Sequence, residues 1–278
     1  ELGRLADFNP DPNIRSLQED YPIDTAKSPI SPLMYNGVGG TTLHWTAHFP
    51  RFHPSDFRSR TLDNIGNDWP ISYQVLEPFY NLNDGVTGIS GLAGDPAYPA
   101  KPPRQTPPLA IGKPATRLAG AFDKLGWHWW PADSAIISEK YHDRRPCNYC
   151  GPCDLGCPPR ARASVDVTYW PLALAHGATL KTRSRVREVT LSESGRANGV
   201  LYYDDEGQLK HQRASVVVLA CNGIGTPRLL LNSTSGKFPH GLANSSNLVG
   251  RNLMLHIVAI TAGVFDEDII TFFLLSIK

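Results

Sequence analysis

Four cysteines fall within eleven residues, Cys147, Cys150, Cys153 and Cys157, and Pro158 follows directly. The string CNYCGPCDLGCP has the form C-x2-C-x2-C-x3-C-P, the spacing of a bacterial ferredoxin-type cluster loop. Thiolates this close can wrap an iron–sulfur cluster, and soft sulfur suits iron–sulfur or zinc. Zinc sites usually close a tetrahedron from two separated pairs, whereas these four cysteines share one loop. In two-cluster ferredoxins the fourth cysteine serves a second cluster, and the chain has no second string. The spacing therefore predicts three ligands around a [3Fe–4S] cluster, or a [4Fe–4S] cluster with a different fourth ligand. Arg144, Arg145, Arg160 and Arg162 flank the loop and would offset its negative charge. A disulfide-bonded or free-thiol surface loop, and a zinc site, stay open. Cys221 stands alone, and clustered spacing says nothing of the compartment.

The chain has 278 residues, 41% apolar and 19% charged, with a formal net charge of +1. That is the make-up of a globular protein of one or two domains. The near-zero charge offers no broad basic field for nucleic acid. The longest apolar run, Ile269 to Ile277, is too short to span a bilayer as a helix. The chain opens on Glu1 without a signal peptide and closes on IITFFLLSIK, an apolar stretch that as a free terminus would seek a partner. These ends read as those of a piece of a longer chain.

Residues 1 to 36 are polar and proline-rich and read as loop. DWPISYQVLEPFY (Asp68 to Tyr80) has a helix start at Ser72, with Leu76, Phe79 and Tyr80 on one face. Residues 91–114 are a Pro/Gly linker. A helix follows with Leu118, Phe122 and Leu125 at i, i+4 and i+7, stopped by Gly126. DVTYWPLALAHG predicts a short helix with Pro171 in its first turn and Gly177 past its end. From Ala178 the pattern changes to strands. LKTRSRVREVTL alternates around Leu180, Val186, Val189 and Leu191, and GVLYYDDEGQ predicts a strand and a turn at Asp205–Gly207. SVVVLA (Ser215 to Ala220) is a continuous apolar run, as for a fully buried strand.

Two more strings carry chemistry. In GVGGTTLHW, Gly37, Gly39 and Gly40 let backbone approach a flat or anionic ligand. Thr41 and Thr42 offer hydroxyls there, and His44 a ring donor. It is not a P-loop, and a tight turn alone explains it about as well. In SVVVLACNGIGTPRLLL the apolar strand runs into Gly223 and Gly225. Thr226 is placed as N-cap and Pro227 as first helical residue, where bare N–H groups and the helix dipole suit a phosphate.

Together and in this order the strings resemble the GMC (glucose–methanol–choline) flavin oxidoreductases. GVGGTTLHW is similar to the family's glycine-rich flavin-contact segment, with His44 arriving early and Trp45 after it. DWPISYQVLEPFY resembles an element of the branch that contains gluconate, fructose and FAD-dependent glucose dehydrogenase flavoprotein subunits. GIGTPRLLLNS resembles the second family signature, and NLVGRNLMLH (Asn247 to His256) the segment after it. The resemblance covers most of residues 20–268. It implies an α/β fold in which an incomplete Rossmann-like FAD-binding domain is interleaved with a substrate or cap domain. The implied segments are 1–50 and 176–255 for FAD, 51–175 for the cap and cysteine-rich part, and 256–278 for the start of a further substrate segment. FAD contacts are implied at Gly37, Gly39, Gly40, Thr41, Thr42, His44, Trp45, Val186, Gly223, Gly225, Thr226 and Pro227.

The same branch carries a C-x5-C-x3-C-P string that binds a [3Fe–4S] cluster. Cys147, Cys153 and Cys157 match it and leave Cys150 as an extra. The family's N-terminal GxGxxG unit and its C-terminal catalytic histidine are not among these residues, so no catalytic base is named. His176 and His256 are read as structural. The implied activity is oxidation of the CH–OH group of a small alcohol or sugar by hydride transfer to FAD. Electrons would leave through an iron–sulfur cluster to a cytochrome or small-subunit partner, at a periplasmic or membrane-associated site. The alternative is a non-catalytic iron–sulfur or metal-binding electron-transfer module, and a third reading is a truncated product that catalyses nothing. Without a first βαβ unit, SVVVLA would expose apolar surface and favour aggregation.

Overall fold

The computed structural model describes residues 26–28, 30, 35–151, 153–255, 263 and 266. The expectations for the tract before Tyr35 fall almost wholly outside these residues, and those for the apolar end fall wholly outside them. The chain divides into two compact units, Glu1–Ala178 with Phe265–Lys278, and Thr179–Val264. Mixed helix and strand agree with an α/β class.

The first unit is built on short extended segments rather than on long strands. Ala47–Phe49, Asp133–Ile137 and Ala161–Ala163 lie side by side. Ala135 N–H donates to the Ala47 carbonyl and Ala163 N–H to the Ala135 carbonyl, both at 2.8 Å. Ser90 pairs with Ser134 in both directions at 2.9 Å. Small and β-branched residues let these segments close: Ala47, Ile89, Ala135, Ile136, Ile137, Ala161 and Ala163 form the core. Trp45, Phe49, Leu109 and Tyr141 pack against it, as do Cys147, Cys153 and Cys157.

Helix α1 spans Ser59–Asp63, α2 Tyr73–Thr87, α3 Lys113–Leu125 and α4 Tyr169–Ala175. Ser72 precedes α2, and Gly126 ends α3 in the left-handed region at φ 67°, as expected. The expected face of α2 is only part of the story. Phe79 is exposed, and the residues α2 buries are Tyr73, Asp84 and Thr87. Asp84 is drawn inward by cations: Arg51 Nη2 lies 2.5 Å and Arg104 Nη1 2.8 Å from its Oδ2. In α3 the buried positions are Ala115 and Ala119, while Leu125 is exposed in the last turn. Pro171 does lie in the first turn of α4, and Gly177 follows it at φ 87°.

In the second unit β1 (Arg185–Leu191), β2 (Ala197–Tyr203) and β3 (Leu209–Arg213) form an antiparallel sheet in sequence order. The alternation read around β1 is broken, because the register shifts between Val186 and Glu188. Val189 is buried, Val186 is 37% exposed and Leu180 lies outside the strand. The turn before β3 carries Gly207 at φ 74°. Helix α5, Asn222–Asn232, packs on β1; Leu229 is buried, and Val189 N–H donates to Ser233 Oγ at 2.9 Å.

Two expectations are corrected here. Ser215–Ala220 is not a strand, and Val216 and Val218 are 73% and 82% exposed. A central strand needs ladder partners, and the three-stranded sheet ends at β3. Helix α5 also starts at Asn222, so Thr226 is not its N-cap and Pro227 is not its first residue. Asn222 Oδ1 accepts from Ile224 N–H at 2.8 Å and Gly225 N–H at 3.0 Å, which starts the helix early.

Candidate functional site

The glycine-rich string folds as a turn running into a 3-10 helix, Gly40–His44. Gly40 N–H closes the turn on the Gly37 carbonyl at 2.9 Å. Gly39 sits at φ 97°, and a Cβ there would meet the Cβ of Asp166 at 3.3 Å. Glycine is thus required both for backbone angle and for close approach. The threonines are engaged within the protein: Tyr35 N–H donates to Thr41 Oγ1 at 3.4 Å and Val165 N–H to Thr42 Oγ1 at 3.1 Å, while Thr42 Oγ1–H donates to the Gly39 carbonyl.

This turn and the cysteine loop are neighbours. His44 Nδ1–H donates to the Asp154 carbonyl at 3.0 Å, inside the loop. Arg162, 1% exposed, donates from its guanidinium to the Trp45 carbonyl at 2.6 Å and the Leu43 carbonyl at 2.7 Å. Its own backbone N–H donates to Cys157 Sγ at 3.2 Å. One buried residue therefore holds the end of the glycine string and touches the last cysteine. Arg144 is buried too and holds the Arg160, Thr87 and Ala161 carbonyls. Arg145 and Arg160 are exposed. Burial pulls both Arg144 and Arg162 below the ordinary guanidinium value, and the charge of Cys157 works against that.

The five cysteines are free thiols, and Cys150 and Cys221 are exposed. Burial pushes the Cys147 and Cys153 thiols up, and the neighbouring cysteines add to it. Among the described residues no group of three or more His, Cys, Asp or Glu side chains is placed to hold a metal. As arranged here the loop does not form a cluster cage.

The glycine turn fits a flavin better. Trp45 Nε1, Arg162 Nε and Asp166 Oδ1 are buried and have no hydrogen-bond partner among the described residues. All three adjoin Gly37–Trp45. Leaving a buried donor or acceptor unpaired costs about 1–3 kcal/mol, and a polar cofactor edge is one kind of partner. Arg162 and Asp166 were not read as part of this site, because sequence spacing does not show which distant side chains meet a turn. Val186, Gly223, Gly225, Thr226 and Pro227 lie in the second unit, and the helix start there is already capped by Asn222.

A cavity of about 410 Å³ opens among His48, His53, Tyr98, the inner face of α3 and Trp129–Ser134.

The sequence model of the GMC oxidoreductases matches residues 121–258. A 2-methyl-1,2-propanediol dehydrogenase of Mycolicibacterium austroafricanum is 43% identical over 95% of this chain and 48% of its own length. The chain belongs to the GMC oxidoreductase family. Two other GMC relatives are the fructose dehydrogenase large subunit of Gluconobacter japonicus, 34% identical over 79% of the chain and 41% of its own length, and the gluconate 2-dehydrogenase flavoprotein of Pantoea cypripedii, 28% identical over 84% and 44%. The chain thus spans about half the length of the curated GMC relatives it matches.

Proposed function

We propose that this chain supplies the flavin-contact turn and part of the substrate side of an FAD-dependent dehydrogenase acting on the CH–OH group of a small alcohol or sugar. The glycine turn carries the reading: in a GMC chain, Gly37–Trp45 bring a close backbone approach together with three buried polar atoms that lack a partner among the described residues. Gly37, Gly39, Gly40, Thr41, Thr42, His44 and Trp45 would line the flavin, with Arg162 and Asp166 behind them. Thr41 and Thr42 also hold the turn's shape through their hydroxyls. Val186, Gly223, Gly225, Thr226 and Pro227 belong to the same proposal as the dinucleotide side, which assigns 1–50 and 176–255 to FAD and 51–175 to the cap. Bound FAD supplies the acceptor for a hydride leaving the alcohol carbon. The protein's share is to orient the ring, exclude water and fix the polar edge.

An iron–sulfur centre on Cys147, Cys153 and Cys157 is the finer part of the proposal. Its supports are the spacing and the two buried arginines beside the thiols. The loop must close in from its present arrangement to bind iron. Hydride transfer to the flavin is complete without it. The names of the Gluconobacter and Pantoea relatives, a large subunit and a flavoprotein, favour an electron-accepting partner subunit. Among the described residues no helix is long and apolar enough to cross a membrane.

The complete gene product decides between the readings. Flavin absorbance, FAD released on denaturation and anaerobic bleaching by a small alcohol are the expected results. Metal without flavin would instead support the electron-transfer module. Iron analysis and EPR test the cluster separately.

A further inference from the structure

The cavity of about 410 Å³ lies within the first unit, among residues between His48 and Ser134. A space of about 150 Å³ is enough to hold benzene, so this one takes a molecule of two fused rings. The volume also falls within the usual range for small-molecule sites. None of the residues assigned to the glycine turn or the cysteine loop lines it, so its chemistry is read from its own lining.

That lining is rich in rings: Tyr98, Phe122, Trp129 and Trp130, with the imidazoles of His53 and His128. The rings are braced by one another. His53 stacks on Tyr98 with centres 3.9 Å apart and planes 25° apart, and His128 on Trp130 at 6.2 Å and 20°. Phe122 stacks on Trp127 at 5.7 Å and 30°. Both indole N–H groups are committed: Trp129 Nε1–H donates to Asp123 Oδ1 at 2.8 Å, and Trp130 Nε1–H to the Leu92 carbonyl at 2.9 Å. The two indoles therefore bring ring surface to a ligand and no donor. Ring pairs gain more than the area they bury, and rings already held lose little freedom when a guest arrives. Ala115 and Ala119 line the same space from α3, and their short side chains leave it open.

The charged groups of the lining are bonded to one another. Lys101 Nζ lies 2.8 Å from Asp133 Oδ2, with both side chains 6% exposed, and 4.4 Å from the centre of the Tyr98 ring. His128 Nε2 lies 2.8 Å from Asp95 Oδ1, which also accepts from Ala97 N–H at 2.9 Å. A charged ligand would have to draw one member of a pair away and strand the other.

We infer that this cavity binds a neutral planar aromatic molecule of about two fused rings, held by stacking on the ring-bearing lining and not by charge. Such a guest needs no CH–OH group, so it is distinct from the alcohol of the proposed reaction. The inference does not rest on that reaction.

The test uses the complete gene product, as wild type, Phe122→Leu and Trp129→Leu. Leucine keeps hydrocarbon at each position and removes the ring. The probes are 2-naphthamide, its saturated counterpart decahydronaphthalene-2-carboxamide, and the anion 2-naphthoate, with binding read by saturation-transfer NMR. Wild type is expected to bind 2-naphthamide about tenfold more tightly than either other probe. Each leucine variant should weaken 2-naphthamide about fivefold and leave the saturated amide within about twofold. Bound flavin should stay oxidised throughout, since none of the probes carries a CH–OH group. Equal binding of the planar and saturated amides to wild type would overturn the aromatic ligand, and naphthoate binding as tight as the amide would overturn its neutrality. Unchanged 2-naphthamide binding in both variants would overturn the cavity as the site. No binding to wild type at all would overturn the inference and show the space to be filled in the complete protein. Thermal melts check the variants; if one fails to fold, the other and the planar-to-saturated ratio in wild type decide.

Discussion

Arg162 shows how one side chain can join two motifs that the sequence keeps more than a hundred positions apart. Its planar fork bonds two carbonyls at the end of the glycine string, a geometry that lysine cannot copy. Each hydrogen bond to a charged group is worth about 1.5–3 kcal/mol. Arg162→Met should therefore destabilise the fold by about 3–5 kcal/mol, read as a lower midpoint in denaturant. Arg162→Lys should recover part of the stability while FAD still leaves more readily than from wild type. An unchanged FAD affinity in the lysine variant would show that the arginine holds the fold but not the flavin turn. The thiols behave differently. Because burial holds the Cys147 and Cys153 pKa values up, their reactive thiolates are scarce at neutral pH. Iodoacetamide should label exposed Cys150 and Cys221 first, and Cys147 and Cys153 only as the pH climbs toward their raised values, as mass spectrometry would show. The sign for stability follows. A group that is neutral when protonated and has a raised folded pKa stabilises below its unfolded value, and that contribution is lost as pH rises through the folded value. Prompt labelling of Cys147 at neutral pH would contradict this.

Among the elements, α5 depends on one residue at its start. Asn222 has φ 61° and its Oδ1 takes the N–H groups of Ile224 and Gly225. Asn222→Ala loses both bonds and keeps the strained angle, so a loss of about 1–2 kcal/mol is expected in thermal or denaturant melts. Asn222→Gly should cost less, since glycine adopts that angle freely. The cap read at Thr226 was misplaced because Thr-Pro is a strong local start signal, yet Asn222, four residues earlier, accepts from the Ile224 and Gly225 N–H groups and the helix begins there. The apolar run before α5 was misread for another reason. Val, Val, Val and Leu favour a strand, but strand formation needs a neighbour to share the ladder. With Val216 and Val218 exposed, the 278-residue chain should scatter light on warming, and Val216→Lys with Val218→Lys should reduce that scattering. A soluble chain with a sharp cooperative melt would count against it.

For the molecule, the buried charge network decides how the first unit holds together. Arg51, Asp84, Arg104, Asp133 and Lys101 come from separate loops and from α2, and their side chains are at most 6% exposed. Asp84 accepts from two arginines at once. Asp84→Asn would take the carboxylate from Arg51 and leave Arg104 only the longer pair with Asp133 at 3.7 Å, and a loss of about 3–5 kcal/mol is expected. Because the pairs are buried, added salt should rescue little of it. Strong recovery in high salt would place the network nearer the solvent than its exposure indicates.

Local chemistry is what the sequence settled alone. The glycine string makes its turn because only glycine suits Gly39, α3 stops at Gly126, and α2 starts after Ser72. The collinear order of the strings led to the family. Contacts between distant residues required the tertiary structure. It set Arg162 between the glycine turn and Cys157, and it drew Asp84 inward from a helix face read as apolar. It also left the cysteines short of a metal cage, although their spacing suits one. Spacing along a chain fixes which residues can reach a point. Whether they turn toward it depends on the packing and charge around them, and in this chain those come from segments far apart in sequence.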